Sequence, residues 1–141
     1  MSLVWREQLS VGNDVIDSDH KYLIELINRI EASLVSKDRK ELMSGLDSLL
    51  KYAQTHFVRE IRIARAVGYS QVLQLDQSHA SLLSHLEQTK TEIGNAGQEL
   101  SPTAIEHFTQ LLRSWLIDHV IKEDLLMRPT LQKHSPKYDP P

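Results

Sequence analysis

The chain contains no cysteine among its 141 residues, which excludes disulfides, iron–sulfur clusters and zinc–thiolate sites. Any metal it holds must therefore rest on imidazole and carboxylate. It also lacks a run approaching the roughly 18 consecutive apolar residues of a membrane span. The first residues lack the basic and then apolar pattern of a secretory signal, so the expected location is the cytoplasm. Charge of one sign is missing as well: 16 Lys and Arg stand against 19 Asp and Glu, a formal net charge of -3 with both signs mixed along the chain. Neither nucleic acid nor an anionic membrane surface is the expected partner of such a surface. There is no internal repeat, and the length suits one domain that buries about two thirds of its unfolded surface.

What the chain does have is helical periodicity. Residues 1–16 read as an irregular arm, anchored by Trp5, Leu9 and Val11 and turning at Gly12-Asn13. Asp17 or Ser18 is the expected cap of a first helix ending near Ser36, and a second runs from about Asp38 to just before Gly68, which suits a C-cap. A third spans about Ser70 to Ile93 and stops at Gly94-Asn95, with Gly97 beyond them. Ser101-Pro102 is a start signal, cap and then first-turn proline, for a fourth helix reaching about Glu123. Residues 125–131 form a short final helix bent at Pro129. The expected fold is all-α: an up-down-up-down four-helix bundle with an N-terminal arm and a short C-terminal helix, one domain over 1–133. Residues 134–141 read as a Pro-rich tail or an interdomain linker cut short.

The inward seams of these helices carry the chemistry. The second reads Leu42, Leu46, Leu49, Ala53, His56, Glu60, Ile63, in steps of three and four. The third reads Val72, Leu75, His79, Leu82, Leu86, Thr89, Ile93, and the fourth Ile105, Phe108, Leu112, Trp115, His119. On the first, Leu23, Ile27, Ile30 and Leu34 extrapolate back to His20. In an up-down-up-down bundle the start of helices one and three and the end of two and four share one end. His20, His56, Glu60, His79 and His119 thus converge at one depth. Buried imidazoles need partners, and metal is the economical one. His56 and Glu60, four apart, leave one helix face together. His119 and Asp124, five apart and so about 140° round an ideal helix, converge only if the helix distorts or ends between them. His85 lies off the seam, His107 on an exposed first turn and His134 in the tail, and all three are left out. Four imidazoles and two carboxylates exceed the needs of one ion, and a nitrogen and oxygen donor set suits iron or manganese over zinc.

At these residues the chain resembles the hemerythrin family. The likeness is carried by Ile16-Asp17-Ser18-Asp19-His20-Lys21 with Leu23, by His56-Phe57 with Glu60, by His79, and by Trp115, His119 and Asp124. The resemblance implies two non-haem iron ions with an oxo or hydroxo bridge. Glu60 and Asp124 would bridge, His20 and His56 would serve one iron, and His79 and His119 the other. In the family that second iron takes a further histidine four residues before the one matching His79, where this chain has Leu75. Lesser departures are Ile61, in place of a common glutamate, and Asp19, in place of a common glutamine. Asp76, three residues before His79, is a candidate substitute ligand, weighed against a solvated flank aspartate.

On this resemblance the expected protein is a bacterial hemerythrin-like module that binds dioxygen or a related small ligand: nitric oxide, peroxide or azide. An iron left open by Leu75 favours oxygen or redox sensing over storage and delivery, with a fused or partner signalling output domain. The competing class is a di-iron oxidase or peroxidase. Such sites are carboxylate-rich with Glu-x-x-His on two helices, which only Asp17 before His20 and Asp76 before His79 approximate.

Overall fold

A computed structural model describes residues 2–96 and 100–141, so Gly97, expected beyond the end of the third helix, lies outside the described residues. The fold is all-helical, with no strand among the described residues. Its principal helices are α1 (Asp14–Ser36), α2 (Arg39–Ala66), α3 (Val72–Asn95) and α4 (Pro102–Ser114). α4 is continued by a π-helical segment, Trp115–Ile121, then by short turns of α, 3-10 and α character through Leu131. α1 packs on α2, α2 on α3, and the fourth helical rod returns to α1, the expected four-helix bundle.

Local chemistry sets the boundaries. α1 starts three residues before the expected Asp17, because the Asn13 side chain accepts from the backbone N–H of both Val15 and Ile16 and is the N-cap. Asp17 serves the arm instead, accepting from Ser10 Oγ at 2.5 Å and from the Val11 N–H at 2.9 Å. α2 is capped by Asp38 and α4 by Ser101, whose hydroxyl accepts from the Ala104 N–H. α2 ends in a Schellman motif: Tyr69 N–H bonds to Ala64 C=O and Gly68 N–H to Arg65 C=O, with Gly68 at φ +74. Pro129 stands in the first turn of the last short helix, where its missing N–H breaks no bond.

The arm and the C-terminal segment are tied to the bundle. Asn28 pairs with the Leu3 backbone in both directions, and the Arg128 guanidinium donates to the carbonyls of Gln8 and Ser10. Asp14 N–H donates to Pro136 C=O, and Asn13 Nδ2 to Tyr138 C=O.

The core has two parts. A long one runs from Leu23 through α2 and α3 to Ile121, and a small one gathers Val11, Ile16, Ile63, Ala64, Leu75, Met127 and Leu131. On each rod a buried polar residue separates them: His20 between Ile16 and Leu23, Glu60 between Phe57 and Ile63, His79 between Leu75 and Leu82, Asp124 between Ile121 and Met127. The bundle thus contains a polar layer with oil above and below.

The two glycines near helix ends respond oppositely to alanine. Gly68→Ala forces a Cβ into the left-handed region and is expected to lower stability by about 1–2 kcal/mol. Gly94 is inside α3, where a Cβ meets only Met43 Cε at 3.6 Å. Gly94→Ala is expected to raise stability by about 0.5–1 kcal/mol. Urea denaturation of both variants checks the pair of signs.

Candidate metal centre

Four groups meet in the polar layer. His20, His56, Glu60 and Asp124 are all buried and present ligand atoms within 4.8 Å of one another. α1 supplies His20 one turn beyond its buried Ile16. α2 supplies His56 and Glu60 from one face, four residues apart, and Asp124 enters from the turn after the π-helical segment. His20 Nε2 lies 2.6 Å and His56 Nε2 3.4 Å from Asp124 Oδ2, and His56 Nε2 lies 2.9 Å from Glu60 Oε2. That last approach has no hydrogen-bond alignment, and Glu60 Oε2 is buried with no donor aimed at it among the described residues. An acceptor in that condition costs free energy unless something electropositive completes it. Two imidazoles and two carboxylates pointing their lone pairs inward fit iron or manganese.

His79 adjoins this cluster on its other side. Its Nε2 lies 2.9 Å from Glu60 Oε1, and its ring stacks on Phe57 at a centroid distance of 3.9 Å. Glu60 therefore offers one oxygen toward His56 and the other toward His79. That is the placement a carboxylate needs to bridge two positions.

The structure corrects the expected place of His119. It is exposed, in a groove between α3 and the fourth rod shared with His85, Thr89 and Trp115, and not in the cluster. The cause is the π-helical segment. Its buried residues are Trp115, Leu116, Val120 and Ile121. With i to i+5 bonding, the residue five after Trp115 takes the inward place that an α-helix gives the residue four after it. The helix does distort, as convergence with Asp124 required, but the distortion ends at Ile121 and turns His119 outward. Leu75 is buried in the small apolar cluster. Asp76 is exposed on the α2–α3 groove that also exposes an edge of His79. His85 and His107 are exposed, as expected.

In the sequence Asp19 stands out only as a departure from the family pattern. It is buried, accepts from His56 Nδ1 at 3.0 Å, and is held by the Arg59 guanidinium and the Tyr52 hydroxyl. A signal is present: Tyr52, His56 and Arg59 are spaced at i, i+4 and i+7, so they share one helix face.

Burial and crowding divide the charges. Burial pushes Asp124 up, Glu60 beside it adds to the rise, and the balance stands at about 6 despite His20 and His56. Burial also acts upward on Glu60, but the His56 charge, aided by Asp124 and by the bond to His79, brings it down to about 2. Burial works against a charged His56, yet Glu60, Asp124 and Asp19 together hold it well above the usual imidazole range. Burial lowers His20.

Known proteins resemble this chain over most of its length. The family profile of the hemerythrin HHE cation binding domain matches residues 11–131. A bacteriohemerythrin of Stenotrophomonas maltophilia strain R551-3 is 24% identical over 132 residues, covering 94% of this chain and 83% of its own. One from Pseudomonas aeruginosa strain LESB58 is 25% identical over 122 residues, covering 86% and 76%. In fold, the crystal structure of a leucine-to-phenylalanine mutant protein superposes at a TM-score of 0.77 and 22% identity, covering 92% of this chain and 96% of that one.

Metal uptake at this cluster would displace a proton from His56 and, below about pH 6, one from Asp124 as well. Both groups act in the same sense: affinity rises with pH, and falls most steeply as pH drops below about 6, where Asp124 keeps its proton. Calorimetry of ferrous or manganous ion binding in buffers of different ionisation enthalpy should show net proton release. Affinity independent of pH between about 5 and 7 would contradict the assignment.

Proposed function

The chain belongs to the hemerythrin family, and we propose that it is a non-haem di-iron protein whose two metal positions are unequal and which serves oxygen or redox sensing. Membership carries the coarser statement with it, a di-iron protein that binds a small ligand, dioxygen in the family at large. The single observation that carries the proposal is Glu60, with one oxygen toward His56 and the other toward His79.

His20, His56, Glu60 and Asp124 would hold the first iron. His79 would hold the second, sharing Glu60 and Asp124. When bound, the pair supplies a redox-active centre that coordinates dioxygen or a similar small ligand. The protein's own contribution is to keep that centre dry, charged and accessible from one side. Ile16, Ile63 and Leu75 close the layer toward the termini, and Leu23, Ala53 and Leu82 close it toward the long core. A groove of about 920 Å³ between α2 and α3, lined by Phe57, Val58, Ile61 and Asp76, runs to His79. A small ligand enters there, at the position with fewer protein donors.

Leu75 and the outward His119 make that second position weak. A centre with one poorly held, open iron is suited to reporting an oxidant by changing state, and ill suited to holding oxygen intact through repeated cycles. A signalling output domain, fused or separate, would read that change.

Anaerobic titration with ferrous iron should show two binding steps, the first tighter, approaching two ions per chain. Leu75→His should tighten the second step and leave the first within a few-fold. On mixing with oxygen, the optical change of the unmodified reduced protein should give way to irreversible oxidation faster than in Leu75→His. One ion per chain in both proteins would sink the dinuclear proposal. Stable reversible oxygen uptake by the unmodified chain would replace sensing by storage.

A further inference from the structure

We propose that Asp19, held by Arg59 and Tyr52, is a positioning residue that fixes the tautomer and donor strength of His56 and thereby sets the affinity and redox character of the first metal position. The inference rests on the metal-binding function proposed above. It concerns residues outside the ligand set.

The three histidines of the polar layer differ in one respect. His20 Nδ1 and His79 Nδ1 are buried without a hydrogen-bond partner among the described residues. His56 has both ring nitrogens engaged, Nδ1 at 3.0 Å from Asp19 Oδ2 and Nε2 facing Glu60 and Asp124. A carboxylate on Nδ1 keeps the proton there and leaves Nε2 with its lone pair toward the metal cluster. It also makes the imidazole a stronger donor than one whose second nitrogen meets nothing.

The carboxylate is itself held. Arg59 Nε donates to Asp19 Oδ2 at 3.0 Å and an Arg59 terminal nitrogen to Oδ1 at 2.8 Å, the two-pronged geometry that fixes a carboxylate plane. The Tyr52 hydroxyl donates to Oδ1 at 2.7 Å. Each oxygen of Asp19 thus has two partners, all of them on α2. Arg59 is 32% exposed while Asp19 is 6% exposed at the side chain. The network therefore runs from a solvent-facing cation inward through a buried anion and an imidazole to the cluster.

The test begins with His56 in metal-free protein brought to a pH above the raised titration range of this imidazole, where nitrogen-15 NMR should show the one remaining proton on Nδ1. Asp19→Asn, close to isosteric, should weaken that preference. It should also loosen the first ferrous ion by roughly 10- to 100-fold in chelator competition. The reduction midpoint of the iron-loaded protein should move upward, because less negative charge reaches the metal through His56; a purely structural role would not move it. Asp19→Glu, which restores the charge, should recover part of the affinity. Arg59→Gln, at a half-buried position, should fold and loosen the metal in the same direction by less, so the inference stays testable if Asp19→Asn is unstable. Unchanged tautomer, affinity and midpoint in Asp19→Asn, or in Arg59→Gln if that is the only folded variant, would overturn it. Failure of the unmodified chain to bind iron would instead strike the function proposed above, and the NMR result on metal-free protein would still decide whether Asp19 orients His56.

Discussion

A layer of ionisable side chains sealed between two apolar clusters is the constraint on which the rest of this structure depends. His20, His56, Glu60, His79 and Asp124 are essentially removed from water, and groups so placed are tolerable only when they satisfy one another or share a cation. Helix lengths, caps and the tethering of both termini serve to bring four separate stretches of chain to one depth with their donors inward. The departures from ordinary α-helical geometry also fall close to this layer. The π-helical segment leads directly into Asp124, and the inward step it adds is what brings Ile121 and then Asp124 to the interior.

Much of the layer is legible in the sequence because its residues obey α-helical periodicity. His56 and Glu60 continue the Leu42 to Ala53 seam without a phase change, and His79 continues Leu75 to Leu82. His20 is reached by extrapolation and is buried. The limits of α2, set by Asp38 and Gly68, are equally readable, because each residue type has a specific backbone role. His119 is misplaced for the reason the others succeed: the periodicity assumes an α-helix through a stretch that winds as a π-helix, and no residue between Trp115 and Ile121 announces the change. Asn13 reads as a turn residue and not a cap, since Asp17 and Ser18 are equally plausible caps and the choice depends on where the arm sits. The grip of Asp19 on His56 joins two helices: Tyr52, His56 and Arg59 share a readable face of α2, but only packing shows which residue of α1 they meet.

In the proposed centre the two metal positions are unequal, whereas the sequence pattern assigns two histidines to each. Four donors from three segments face each other in the cluster, while the second position proposed above would have His79 and a share of Glu60 and Asp124. The asymmetry arises from one side chain, Leu75, that prefers oil to metal, and from one helix segment whose winding carries a histidine to the surface. Neither feature disturbs the bundle, because a leucine fits the apolar cluster beneath the layer and an exposed imidazole is at ease in water.

The division of the core has a consequence for how the molecule comes apart. The smaller cluster draws one or two residues each from the arm, from the helix ends beside it and from the final turns, and the polar layer parts it from the longer core, with Leu125 packed against both. Without a cation in that layer, the two apolar bodies are joined by mutually uneasy charges, and the terminal end is the natural unit of partial unfolding. Amide hydrogen exchange would then report two protection levels in the stripped protein and a single one in the loaded protein. With metal bound as proposed, its escape and the opening of the terminal end would be one event, and the lifetime of the ion would follow the breathing of Val11, Ile16, Met127 and Leu131 as much as the strength of its bonds.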